Sequence, residues 1–213
     1  MRELTLLLAA VLLAGCGAPA DKAAEAPKKT ARREGPMPDV YKVRFETTKG
    51  PFVIEVYKEW APKGAERFWK LVNMKFFDDT RFFRVRPNFI VQFGLSGDPQ
   101  TNSLLNAMPI QDDPVKQKNL KGTISFAQSG KNTRRTQVFV NMKDNRSLDR
   151  DGFAPFGKVI EGMEVLEQLY AGYGEWSPPG SGPSAARIQT QGNEYLDSQF
   201  PRLDRIRKAV ILD

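Results

Sequence analysis

The chain has 213 residues, 40% of them apolar and 27% charged, with a formal net charge of +7. That length suffices for one domain with a sizeable core plus extensions. There is no histidine and one cysteine, Cys16, which excludes Ser-His-Asp and Cys-His catalysis, histidine metal sites, an imidazole pH switch and an intrachain disulfide. No metal and no cofactor is expected, and the scattered basic residues form no recognisable nucleic-acid module.

Leu4 to Ala14 is an apolar run interrupted only by Thr5. A membrane-spanning helix needs about 20 apolar residues, so this run has the length of a signal-peptide core instead. It ends Leu13-Ala14-Gly15-Cys16, which resembles a bacterial lipobox. The resemblance implies a lipoprotein signal peptide over residues 1–15, cleavage before Cys16 and a lipid on its thiol. It further implies a membrane anchor through Cys16, on the periplasmic or extracytoplasmic face of the bacterial cell envelope. Residues 16–39 contain no aromatic residue. Such a segment buries too little apolar surface to offset its ordering entropy, so it reads as a disordered tether.

The domain spans residues 40–213. Tyr41, Val43 and Phe45 alternate with Lys42, Arg44 and Glu46, the period of a half-buried strand. Lys49-Gly50-Pro51 makes a turn, and Phe52, Ile54 and Val56 continue the apolar face, which predicts a hairpin. Ala61-Pro62 opens a helix in which Ala65, Phe68, Trp69 and Val72 share one face, so Trp69 reads as core. Further strands are expected near 81–86, 89–93, 123–127 and 136–141, a second helix from Met163 to about Leu169, and a last strand over Ile206 to Leu212. Residues 172–184 are rich in Gly and Pro, and about 172–203 reads as a loop insertion before that strand. Many short strands with two helices predict a barrel with helical caps.

The most informative stretch is Phe82-Phe-Arg-Val-Arg-Pro-Asn-Phe-Ile-Val-Gln-Phe-Gly94. Arg84 sits among apolar and aromatic residues, with Gln92 eight positions later. The strip has no carboxylate pair, thiol or histidine, and suits a pocket that binds an apolar group and offers a few fixed hydrogen bonds. Three further segments follow it: Thr123-Ile-Ser-Phe-Ala-Gln-Ser-Gly130, Thr136-Gln-Val-Phe-Val140 and Phe156-Gly-Lys-Val-Ile-Glu-Gly-Met163. In this order the four segments resemble the cyclophilins, the β-barrel prolyl isomerases, over about residues 40–170 and the last strand.

The resemblance implies a mainly β fold: a closed eight-stranded antiparallel barrel capped by two α-helices. It implies a peptidyl-prolyl cis-trans isomerase, monomeric, acting on proline-containing polypeptides such as unfolded or flexible envelope proteins. By the same resemblance Arg84 faces the prolyl amide and Gln92 orients it. Phe89, Ile90, Phe139, Leu148 and Phe153 would receive the proline ring, and Ala127, Gln128 and Gln137 would hold the flanking backbone. The chain departs from the family pattern at Phe83 and Phe153, each in place of a histidine. It departs also at Ile90 for methionine, Gln128 for asparagine and Ser147 for tryptophan. Two other readings stay open. A proline-peptide-binding module or chaperone without appreciable turnover would share this strip. A lipocalin-like carrier would need a large cavity, whereas aromatic-rich strands predict a filled interior.

Overall fold

The computed structural model describes Met1, residues 35–178 and residues 180–212. From residue 2 to residue 34, the segments expected to be a signal peptide and a tether, with Cys16 between them, lie outside the described residues. Strands β1 (Val40–Thr47) and β2 (Pro51–Tyr57) form the expected hairpin, in register from Val40 opposite Tyr57 to Glu46 opposite Pro51. Helix α1 (Pro62–Asn73) then packs Phe68, Trp69, Leu71 and Val72 inward. Trp69 is core as expected, edge-on to Tyr41 at 4.9 Å. Strands β3 (Arg84–Val85), β4 (Ile90–Phe93), β5 (Thr123–Phe126), β6 (Val138–Asn141), β7 (Pro155–Glu161) and β8 (Ile206–Ile211) complete one antiparallel sheet. Its order is β3-β4-β6-β5-β7-β2-β1-β8.

The closed barrel expected from the sequence is not formed. The sheet curls, but β3 and β8 share no ladder. Their ends meet through an isolated bridge between Arg81 and Arg205, flanked by Phe82 N–H to the Asp204 carbonyl at 3.0 Å. The reason lies in register: the antiparallel bridge sets β8 opposite the turn that follows α1, where Ile206 N–H donates to the Thr80 carbonyl at 2.9 Å and Ala209 N–H donates to Asp78 Oδ1 at 2.9 Å, and not opposite β3. That turn cannot run as a strand beside β8, since Lys75 and Asp79 sit at φ 57 and φ 58.

Alternation along the strands sorts residues to two faces. Val85, Val91, Phe93, Val138, Val140, Ile124 and Phe126 point into the core with Phe45, Phe52, Phe68, Phe77 and Phe156. Arg84, Gln92, Phe139 and Ser125 are successive cross-strand partners of the opposite parity. They make one row on the outer face of the sheet.

Five helices are present among the described residues, where two were expected. Beside α1 these are α2 (Pro99–Asn106), α3 (Ser147–Arg150), α4 (Met163–Glu167) and α5 (Ala185–Gln199). Helix α4 answers to the segment expected from Met163. Helix α5 lies within the stretch read as a loop, and it docks on α2. Asn106 Nδ2 donates to Gln189 Oε1 at 3.0 Å, and Asn193 N–H donates to the Gly97 carbonyl at 2.9 Å. A second apolar cluster seals this contact: Phe83, Leu95, Ile188, Tyr195 and Leu196, with Trp176 and Phe200 packed against it. Phe83, which stands where the family pattern has a histidine, is therefore the sheet's half of an apolar joint.

Gly192 makes the approach of α5 possible. It sits at φ 59, ψ −143, a kink inside the helix, and a Cβ there would overlap the Gly97 carbonyl. Gly192→Ala is expected to cost about 1–3 kcal/mol from the backbone conformation alone. A thermal melt checks this, and an unchanged melting temperature would refute the tight docking.

Candidate active site

The site is built on the row that crosses β3, β4 and β6. Arg84 Nη1 donates to Gln92 Oε1 at 3.0 Å, and Gln92 Nε2 donates to Gln137 Oε1 at 3.0 Å. The three side chains form a relay that fixes the guanidinium against the sheet. Gln92 is buried and Arg84 is 14% exposed. The Arg84 guanidinium carbon lies 5.6 Å from the centre of the half-buried Phe89 ring. Gln137 also ties the next residues in, since its carbonyl accepts Ala127 N–H at 2.9 Å. Gln128 Nε2 donates to the Asp151 carbonyl at 2.9 Å.

The apolar half of the site stands apart from the core. Phe139 is 3% exposed yet is not part of the interior cluster, and Phe153 meets it edge-on at 5.5 Å. Ile90, beside it on β4, is buried with the same parity. Leu148, half-buried on α3, receives Phe153 N–H on its carbonyl at 3.2 Å. A buried polar network steadies this edge. Asn119 Nδ2 donates to Asp149 Oδ1 at 2.8 Å and to the Phe153 carbonyl at 2.9 Å, while Asn145 Nδ2 donates to the Phe89 carbonyl at 2.8 Å. Burial raises the Asp149 carboxyl, but the bonds from Asn119 and the charge of Lys118 outweigh it and hold it below the usual range. All ten expected residues of the domain thus lie on adjoining segments: β3, β4 and the turn between them, which carries Phe89, β6 with Gln137 just before it, α3, and the turns after β5 and before β7. A surface groove lined by Met37, Lys58, Pro62, Trp69 and Met74 contains none of them.

Three residues at the site were not anticipated from the sequence. Glu175 reaches Arg84 from the Gly/Pro-rich loop: Arg84 Nη2 donates to Glu175 Oε2 at 2.8 Å, and Arg84 Nε lies 2.5 Å from Oε1. Arg86 Nη1 donates to the same Oε2 at 2.6 Å. The Trp176 ring covers the guanidinium of Arg84 at 4.5 Å. Burial raises the Glu175 carboxyl, but the hydrogen bond and charge of Arg84, the Trp176 N–H and the charge of Arg86 lower it more. It stays below the usual carboxylate range and is ionised at neutral pH. The available signal in the sequence was a lone Glu-Trp pair inside a segment of small residues.

Residues 42–186 match the family model described as cyclophilin type peptidyl-prolyl cis-trans isomerase/CLD. A peptidyl-prolyl cis-trans isomerase of Arabidopsis thaliana is 33% identical over 145 residues, covering 66% of this chain and 85% of the relative. The chain belongs to the cyclophilin-type peptidyl-prolyl cis-trans isomerases. A peptidyl-prolyl cis-trans isomerase of Acinetobacter baylyi is 34% identical to this cyclophilin over 133 residues, covering 60% of the chain and 70% of the relative. A cyclophilin-type isomerase of Cryptosporidium parvum superposes with a TM-score of 0.58 at 22% identity, covering 82% of this chain and 98% of that one. That likeness shows a shared fold. Family membership makes this cyclophilin an enzyme that speeds rotation about X-Pro peptide bonds.

Proposed function

We propose that this cyclophilin isomerises X-Pro bonds in flexible proteins of a bacterial envelope without a covalent step, Arg84 being the group that acts on the amide. Uncatalysed rotation takes tens to hundreds of seconds because the C–N bond is partly double. Millisecond turnover requires about 10⁴–10⁵-fold acceleration, or roughly 5–7 kcal/mol. As the amide twists, the prolyl nitrogen regains a lone pair, and a donor aimed at it gains strength only in the transition state. The carrying observation is the Arg84–Gln92–Gln137 relay, which holds a guanidinium on the outer face of the sheet. Phe89, Ile90, Phe139, Leu148 and Phe153 offer the prolyl ring an apolar seat near it, and Ala127, Gln128 and Gln137 offer the flanking backbone its hydrogen bonds. A Cryptosporidium parvum cyclophilin solved in the presence of the dipeptide Ala-Pro supports this class of ligand. A protease-coupled assay on a capped Ala-Pro peptide tests the reading. Relaxation that accelerates in proportion to enzyme is expected; peptide binding without acceleration would favour a binding module.

The place of action rests on Cys16 at the end of the Leu13-Ala-Gly-Cys16 run. One acyl chain binds a membrane only marginally, whereas two or three on one cysteine bind stably. Mass spectrometry of the mature protein is expected to find Cys16 at the N-terminus and acylated. A free thiol there, or a different first residue, would remove the anchor from the proposal.

A further inference from the structure

We infer that Glu175 is an internal stand-in for an acidic side chain of the substrate, and that Arg84, Arg86 and Glu175 together select prolyl peptides that carry a carboxylate next to the proline. The inference rests on the isomerase reading of Arg84 and adds a substrate class to it.

Three observations carry it. The first is that one carboxylate is held by two guanidiniums, from Arg84 at 2.8 Å and from Arg86 at 2.6 Å. Arginine presents a rigid planar fork of donors that matches carboxylate geometry. The second is that the carboxylate is delivered by the enzyme's own chain to the one guanidinium that the mechanism needs. Its placement is built, not incidental. Trp176 N–H donates to Glu175 Oε1 at 3.0 Å, Gly182 N–H donates to the Glu175 carbonyl at 2.8 Å, and Gly180 N–H donates to the Trp176 carbonyl at 2.7 Å. The third is the Trp176 ring, which lies over Arg84 at 4.5 Å and packs against the cluster of Phe83, Ile188 and Tyr195. Together they close over the site.

A peptide whose amide is to face Arg84 must therefore displace Glu175. A neutral peptide gives nothing back for the ion pairs it breaks. A peptide with its own carboxylate replaces one ion pair by another. Arg86 is well placed to take that group while Arg84 turns to the amide, because its side chain is 42% exposed against 14% for Arg84. Truncating one partner of a charge pair penalises the state in which the other is left unpaired, which is how such a pair discriminates between ligands.

The test is a matrix of full-length protein variants against capped peptides that differ only next to proline: Glu, Ala or Lys, with no other charge. In the unmodified protein kcat/KM for a Glu peptide is expected to exceed that for Ala at least fivefold, with Lys lowest. Arg86→Gln is expected to flatten this ratio. Glu175→Gln is expected to raise kcat/KM for the Ala peptide severalfold and so narrow the gap from the other side. The ratio between peptides is the readout, since a purely structural role would lower all peptides alike. No preference in the unmodified protein, or a Glu175→Gln variant that is unchanged or slower on the Ala peptide, would overturn the inference. If neither the parent nor any variant turned over any peptide, the isomerase reading itself would fail. Peptide Kd would then decide the clamp: tighter binding of Glu than Ala supports it, and equal Kd overturns it.

Discussion

Replacing Arg84 by alanine is expected to lower kcat/KM by about 10²–10³-fold, roughly 2.7–4 kcal/mol of transition-state stabilisation, the scale seen when one preorganised donor is removed from a developing charge. The fold is expected to survive. Arg84 points to the outer face, its cross-strand neighbour Gln92 keeps Gln137, and Glu175 keeps Arg86. Circular dichroism and a melt run beside the assay separate the two effects, with the melting temperature moving by no more than ~4 °C. Undiminished turnover in a folded variant would refute the role given to Arg84.

The largest effect on stability is expected at Asp113. Its side chain is 1% exposed and that of Arg134 is 2% exposed, with Arg134 Nη1 at 3.1 Å from Asp113 Oδ2. Asp113 also accepts the N–H groups of Lys63 at 3.1 Å and Gly64 at 2.9 Å, two of the unpaired donors at the start of α1. Asp113→Ala would leave a buried guanidinium without its main counter-charge and uncap that helix. Breaking a buried pair from one side costs about 3–5 kcal/mol. For a chain of this size that is about 10 °C or more in melting temperature. Replacing Asp113 and Arg134 together by leucine and methionine is expected to recover much of the loss, because no orphaned charge remains. A single variant as stable as the parent would show that the ion pair contributes little.

What was legible in the sequence, and what was not, follows from the range of each interaction. The hairpin of β1 and β2 was legible because Tyr41, Val43 and Phe45 alternate with charged residues, a local signal. Helix α1 was legible from the spacing of Phe68, Trp69 and Val72. The β3 edge was overestimated, since Phe82 and Phe83 read as strand by composition. In the fold Phe82 enters the core and Phe83 enters the joint with α5. Helix α5 was missed because its apolar face, Ile188, Tyr195 and Leu196, is narrow and Gly192 interrupts it. At the site, residues that share a strip or a strand were within reach of sequence reasoning. Glu175 was not, since it lies 91 positions after Arg84 and its partner is chosen by how α5 docks. Arg86 was passed over because its charge gains meaning only opposite Glu175.

The two parities of the sheet divide the labour of the molecule. The row of Arg84, Gln92 and Phe139 on one side and the phenylalanine cluster on the other share strands but not side-chain surroundings. An engineer could therefore repack Phe45, Phe52, Phe77 or Phe93 for thermal endurance while the outward row keeps its spacing. The outer row is not uniformly free to change: Arg84 keeps part of its side chain exposed, whereas Gln92 and Phe139 are buried, so a swap at those two risks packing as well as activity. New substrate preferences are thus most open to this scaffold at the partly exposed positions beside the row, Arg86 and Glu175.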